Sequence, residues 1–323
     1  MRSMAQWGND LYTGKASVPF VARRKLWFLI AIALVAVSVL APFVRGVELS
    51  IEFTGGSQFT VSAPSSTDQG IATDAVHTVD GDAEAKVTVV GGTDIRVQTS
   101  QMSEDETRQV SAALAEAYGV DASEVTDSFI GPTWGADVTR QSLWGLGVFL
   151  VLTFVILAIY FRTWKMSVAA IVGLLDVLVI TVGIYSLAGF EISPAAVIGF
   201  LTILGYSLYD TTVVFDKIRE NTAEDGEITG RTFGESVNLG VNQTLIRSIN
   251  TSIVAALPVA AILFIGVFWL GAETLSDISL SIFVGILVAT YSTLFVSAPL
   301  YALMREKEPA IAQRDARVIE ARG

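Results

Sequence analysis

FLTILGYSLYDTTVVFDKIREN, residues Phe200–Asn221, begins as an apolar helix of membrane type and ends as a charged helix facing water. One acid, Asp210, lies inside the apolar part. It precedes the first interfacial charges, Asp216 and Lys217, by about two helical turns, or roughly 10 Å of rise. An ionisable side chain at that depth costs on the order of 2.5–3.5 kcal/mol on insertion scales, so it marks a functional site. The surrounding chain must therefore supply a membrane bundle and something for that acid to act on.

Composition agrees. The 323 residues are 52% hydrophobic and 16% charged, where a soluble domain is about a quarter charged. Several apolar runs reach the roughly 20 residues needed to cross a bilayer. The net charge of −11 is concentrated between Arg45 and Asp137, which holds 16 acids and 4 bases. So acidic a segment excludes nucleic acid and anionic surfaces as partners. Its Asp and Glu density, with Arg outnumbering Lys, resembles proteins adapted to high salt. There is no cysteine and a single histidine, His77. That leaves no disulfides, no thiol chemistry and no histidine metal cluster, and no cofactor is expected.

Met1 to Ala22 is polar and irregular, and is expected to be disordered or interfacial. The full-length apolar run after it argues against a cleavable signal. Six spans follow: 26–44, 142–161, 166–190, 194–215, 244–270 and 278–304. Lys and Arg gather on one side (Arg23 to Lys25, Arg162, Lys165, Lys217, Arg219, Arg231, Arg305, Lys307), which puts both termini in the cytoplasm. The one large insertion, residues 45–137, then faces outward. In it Glu48–Phe53 and Gln58–Ser62 read as strands joined by a turn through Gly55 and Gly56. Thr67–Val79 reads as a helix begun by Asp68, and Lys86–Val90 with Asp94–Thr99 as a hairpin around Gly91-Gly92. Ser103 and Glu106 form a capping box for a helix ending at Gly119, and Glu124–Ile130 is a last strand. After the first strand the order is βαββαβ, the ferredoxin-like pattern.

Within the spans, Gly199, Thr202, Tyr206, Asp210 and Val213 recur every three or four residues and predict one protein-facing polar stripe. Gln243, Arg247, Asn250 and Thr251 predict the same on the fifth span, with Pro258 as a bend. Asp210 and Arg247 fall at similar depths on neighbouring antiparallel helices, where each would lower the other's burial cost. Such an acid can release the arginine when protonated and recapture it when ionised. Other readings stand beside this one: Arg247 is within about one turn of water and can snorkel, and Asp210 can be a structural hydrogen-bonded acid. Asp176, in the middle of the third span, is either a second relay acid or a neutral structural one. Asp216, Lys217, Arg219 and Glu220 read as a solvated, mutually paired helix end, and His77 as a surface residue.

GYSLYDTTVVFDKIREN (Gly205–Asn221), SIEFTGGS (Ser50–Ser57), the run Leu174–Ile192 and NQTLIRSINTS (Asn242–Ser252) together resemble the SecD–SecF family of protein-export subunits, of the SecF type. The high-salt composition suggests an archaeal, haloarchaeal version. The resemblance implies half of a twelve-span bundle of the resistance–nodulation–division transporter type, with the outer ferredoxin-like domain between helices one and two. It implies a non-enzymatic, multi-pass subunit of the cell membrane that uses a proton or sodium gradient. Its partners would be SecD, the Sec translocon channel, the unfolded secretory polypeptide and membrane lipid. The family's transmembrane acid and arginine fall on Asp210 and Arg247, and its third-span acid on Asp176. Glu52 and Tyr209 depart from the usual Asp and Asn. Two rivals remain: an exporter half for small molecules or lipids, and a purely structural partner of SecD. An intramembrane protease would need a GxGD motif, which is missing.

Overall fold

The computed structural model describes residues 4–90, 93–223, 230–267 and 275–322. Among the described residues, six helices are long and apolar enough to span a membrane. In chain order the elements are α1 (Met4–Tyr12), α2 (Arg24–Arg45), α3 (Ile51–Thr54), β1 (Gly56–Val61), α4 (Gln69–Val79), β2 (Ala85–Val90), β3 (Asp94–Thr99), α5 (Glu104–Tyr118) and β4 (Val125–Ile130). Then come α6 (Pro132–Phe161), α7 (Trp164–Ala188), α8 (Pro194–Ala223), α9 (Phe233–Ala261), α10 (Ser276–Ser292), α11 (Ala298–Arg305) and α12 (Pro309–Glu320). A π-helical stretch, Ile262–Val267, continues α9, and a second, Thr293–Ser297, joins α10 to α11.

The domain inserted between α2 and α6, named the outer domain for its expected side, is an antiparallel sheet in the order β2-β3-β1-β4. That order with the βαββαβ sequence is the ferredoxin-like arrangement. Alternation places Phe59, Val61, Ile95 and Val97 on one face, against Val76, Val110 and Leu114 of α4 and α5. Both helices start as their sequences predict. Asp68 accepts from the Gly70 N–H, and Ser103 and Glu106 close a reciprocal capping box. α5 ends on Gly119 at φ 64, the left-handed stop a glycine takes without strain. Gly91 and Gly92 lie outside the described residues.

Two expectations are corrected. Glu48–Phe53 is not a strand paired across a Gly55-Gly56 turn. Leu49 makes an isolated parallel bridge to Ile192, residues 51–54 form one helical turn, and β1 begins at Gly56. Close packing decides this: a Cβ on Gly56 would stand 2.4 Å from the Thr99 carbonyl oxygen. The apolar alternation of 48–53 satisfies a turn wedged onto the start of α6 as well as it would a strand, so pattern alone misled. Met4–Ala22 is also not disordered. α1 packs along α9, with Leu11, Phe20 and Val21 buried, because Asn242 grips the backbone of Val18 from both sides, accepting its N–H at 2.7 Å and donating to its carbonyl at 3.0 Å.

In the bundle, α7, α8 and the α10–α11 helix bury 56%, 44% and 50% of their most apolar stretches, while α2, α6 and α9 bury 17%, 11% and 11%. The first three are therefore the inner layer, where small residues allow close approach beside larger ones such as Val177, Ile203 and Ile286. A Cβ on Gly199 would fall 1.7 Å from Ser281 Oγ, and one on Gly285 2.5 Å from Ile203 Cγ1, so α8 and α10 touch nearly backbone to backbone.

Candidate functional site

Ser193 starts α8 by accepting the Ala196 N–H at 3.1 Å, and Pro194 takes the first helical position, where no N–H is needed. From there the buried face of α8 runs through Gly199, Ile203, Ser207, Asp210, Val214 and Ile218. Asp210 is 4% exposed. Its Oδ1 accepts a hydrogen bond of 2.8 Å from the Ser248 hydroxyl of α9, and its Oδ2 has no protein partner. Ser248 leads into a short polar chain. The Ser252 hydroxyl donates to the Ser248 carbonyl at 2.8 Å, and it also meets Tyr206 at 3.2 Å and Thr290 of α10 at 2.5 Å. One residue beyond Asp210, Thr211 shares a 3.0 Å hydrogen bond with Thr293.

Asp210 and Arg247 are not in direct contact in this structure. Arg247 stands on the exposed face of α9 and donates to the Tyr209 hydroxyl at 3.3 Å. At 100° per residue, the side of α9 that meets α8 is Thr244, Ser248 and Ser252, one position round from the predicted Gln243, Arg247 and Asn250. Asn250 is exposed and Thr251 half-buried. Gln243 serves the charged end of α8 instead, accepting from Asn221 at 2.8 Å and donating to the Tyr12 carbonyl at 3.1 Å. Thr202 is likewise exposed and bonds back to Ile198 within its own helix, while Tyr206 and Val213 are half-buried beside Asp210. Gly205 is exposed, with open space where a side chain would be.

Asp176 of α7 is 6% exposed and faces α10, with Oδ2 unpaired. It does not join the Asp210 chain by any direct hydrogen bond among the described residues. At the charged end of α8, Lys217 and Glu220 pair as expected at 2.7 Å. Asp216 and Arg219 instead fasten α8 to α6, through the Tyr160 hydroxyl at 2.8 Å and the Tyr160 carbonyl at 3.2 Å. His77 is exposed, as read.

A second constellation, which the sequence reading missed, joins the bundle to the outer domain. The loop between α7 and α8 adds to the root of the domain like a strand: Ser50 N–H donates to Ile192 O at 3.1 Å, and Ile192 N–H to Glu48 O at 2.7 Å. Glu191 reaches the polar face of the sheet, taking Arg96 at 2.9 Å and Gln98 at 2.7 Å, while Lys86 pairs with Glu48. β3 alternation was the available signal, since Arg96 and Gln98 are its outward positions. The helix carrying Asp210 thus begins at a loop gripped by the outer domain.

This arrangement can hold an exchangeable proton or cation. A carboxyl closed off from solvent, with one neutral donor and one open oxygen, is several kcal/mol costlier charged than neutral, so it responds to whatever ion reaches it.

Comparison with known proteins gives concordant matches. Residues 109–307 match the family described as protein export membrane protein SecD/SecF, C-terminal, and residues 41–63 match the SecD/SecF GG motif. The protein translocase subunit SecF of Streptomyces coelicolor is 40% identical over 323 residues, covering 100% of this chain and 86% of that protein. The SecF subunit of Mycobacterium tuberculosis strain H37Rv is 39% identical over 325 residues, covering 97% and 73%. The crystal structure of SecDF, a translocon-associated membrane protein from Thermus thermophilus, superposes with a TM-score of 0.74 at 28% identity. That match covers 90% of this chain and 39% of the other, so this chain spans well under half of the fused protein. These relatives are bacterial and lend nothing to the haloarchaeal reading.

Proposed function

The chain belongs to the SecD/SecF family of protein-export membrane proteins, and from that premise we propose that it couples an ion gradient to the export step through Asp210. The observation that carries the reading is the burial of Asp210 in an apolar span with a single neutral hydrogen-bond donor. Such an acid changes its charge at large energetic leverage. A charge crossing the full membrane field is worth about 2.3 kcal/mol per 100 mV, enough to bias two states a few kcal/mol apart.

Tyr209 holds Arg247 in the state described here, and Ser248 holds Asp210. Ionisation of Asp210 draws Arg247 off Tyr209 and across the α8–α9 contact; neutralisation returns it. The motion of α8 passes to the outer domain through Glu191 and Ile192 at the head of the helix. The domain, facing outward by the charge rule, then acts on the emerging polypeptide at the translocon, without enzymatic chemistry and without a bound cofactor. The family's fused members support SecD as the partner that completes the bundle. So does the exposed face of Tyr209, Arg247 and Asn250, since polar groups at membrane depth need protein rather than lipid beside them.

The test is Asp210→Asn in vesicles carrying this chain with its SecD partner and the channel. Gradient-stimulated export is expected to fall to the gradient-free level while the complex still co-purifies. Gradient-dependent export equal to that of the unaltered chain would overturn the switch and favour a purely structural partner of SecD.

A further inference from the structure

Asp176 is not used by the switch, yet its surroundings are built from oxygen. Its own Oδ2, the Ser297 hydroxyl and the Tyr291 hydroxyl are all buried without a hydrogen-bond partner. Asp176 is 6% exposed and Ser297 1%. Ser297 lies directly over Gly173, one turn before Asp176: a Cβ on that glycine would stand 1.9 Å from Ser297 Oγ and 3.5 Å from Ser292 Oγ. Ser292 donates to the Gly173 carbonyl at 3.0 Å and faces the Asp176 carboxyl. Tyr291 is within electrostatic reach of the same carboxyl. The π-helical turn Thr293–Ser297, a feature that recurs at functional sites in helices, brings Ser297 round to this face.

We propose that Asp176, Ser292, Ser297 and Tyr291 form a binding site for a single sodium ion between α7 and the α10–α11 helix. A cation lodged between them would give each of the three oxygens a partner at once. All donors are hard oxygens, which suit alkali and alkaline-earth ions over transition metals. With one carboxylate in the cluster, a monovalent ion balances the charge and a divalent one leaves an excess buried. Thr293, inside the same π-turn, bonds Thr211 beside Asp210, so occupancy is felt on α8. This goes beyond the switch at Asp210 and does not depend on it.

The test is equilibrium binding of radiolabelled sodium to the purified full chain in lipid nanodiscs, with choline holding ionic strength constant. Saturable binding of one ion is expected, competed by lithium and poorly by potassium. Asp176→Asn should abolish it, and Ser297→Ala and Tyr291→Phe should weaken it roughly tenfold. No saturable binding by the unaltered chain, or full binding by Asp176→Asn, overturns the proposal. Because the Ser297 and Tyr291 variants remove one oxygen each, they keep the test decisive should Asp176→Asn fail to fold.

Discussion

In the outer domain the closed positions are Phe59, Val61, Val76, Ile95, Val97 and Leu114; in the bundle they include Ser207, Asp210, Thr211, Ser248, Ser252, Ser292 and Thr293. Many of the bundle's large apolar side chains, such as Leu29, Ile32, Val254 and Leu257, point outward, while others, such as Leu174, Phe215 and Tyr301, fill its interior. The two regions of one chain obey one physics in two solvents. Water drives apolar groups inward, but lipid is as apolar as leucine and offers no such drive. Helices there associate through small side chains and shared hydroxyls. A buried acid is foreign to the first kind of interior. In the second it sits among groups already able to bond it.

The contrast can be broken in several ways. Phe59→Ala should cost about 3–5 kcal/mol and open the outer domain to limited proteolysis, whereas Leu257→Ala, on the outer face of α9, should leave thermal unfolding in nanodiscs nearly unmoved; equal costs would end the contrast. Gly285→Leu should lower the bundle's melting temperature, at about 1–3 kcal/mol, by driving a side chain into Ile203. Gly145→Leu, where the space is open, is its control. At the junction, Glu191→Ala removes the partner of Arg96 and Gln98 and should cost about 1 kcal/mol, since the pair is partly solvated. Its sharper signature is a broader distance distribution between spin labels on the outer domain and α8, with unchanged melting of the domain itself.

The smallest effect is one of pH. The Ser103 backbone N–H, then its hydroxyl, hold the Glu106 carboxyl below the ordinary glutamate range. A lowered folded pKa means stabilisation that is full above the unfolded pKa and is lost as pH falls through the folded one. Denaturant midpoints should therefore drop more between neutral and acid pH for the unaltered chain than for Glu106→Gln.

Much of the fold was legible because its signals are local. The capping box at Ser103 and the stop at Gly119 each act within a few residues. Asp210 was legible for a different reason: its cost in an apolar run is high wherever it points. Its partner was not. Residues 247 and 248 are both polar and one helical step apart, and only the rotation of α9 about its axis tells which meets α8. The N-terminal arm was misread because polar segments do bury when an amide such as Asn242 satisfies their backbone.

Sequence by itself determined that this is a six-span chain with an acidic ferredoxin-like domain on one side and an acid deep in its fourth span, since hydropathy, charge bias and periodicity sum over many residues. Tertiary structure alone decided that Ser248 rather than Arg247 holds that acid, that Glu191 ties its helix to the outer domain, and that Ser292 and Ser297 stand over Gly173, one turn from Asp176. Those are matters of which faces meet, and a face is chosen by packing between helices far apart in the chain.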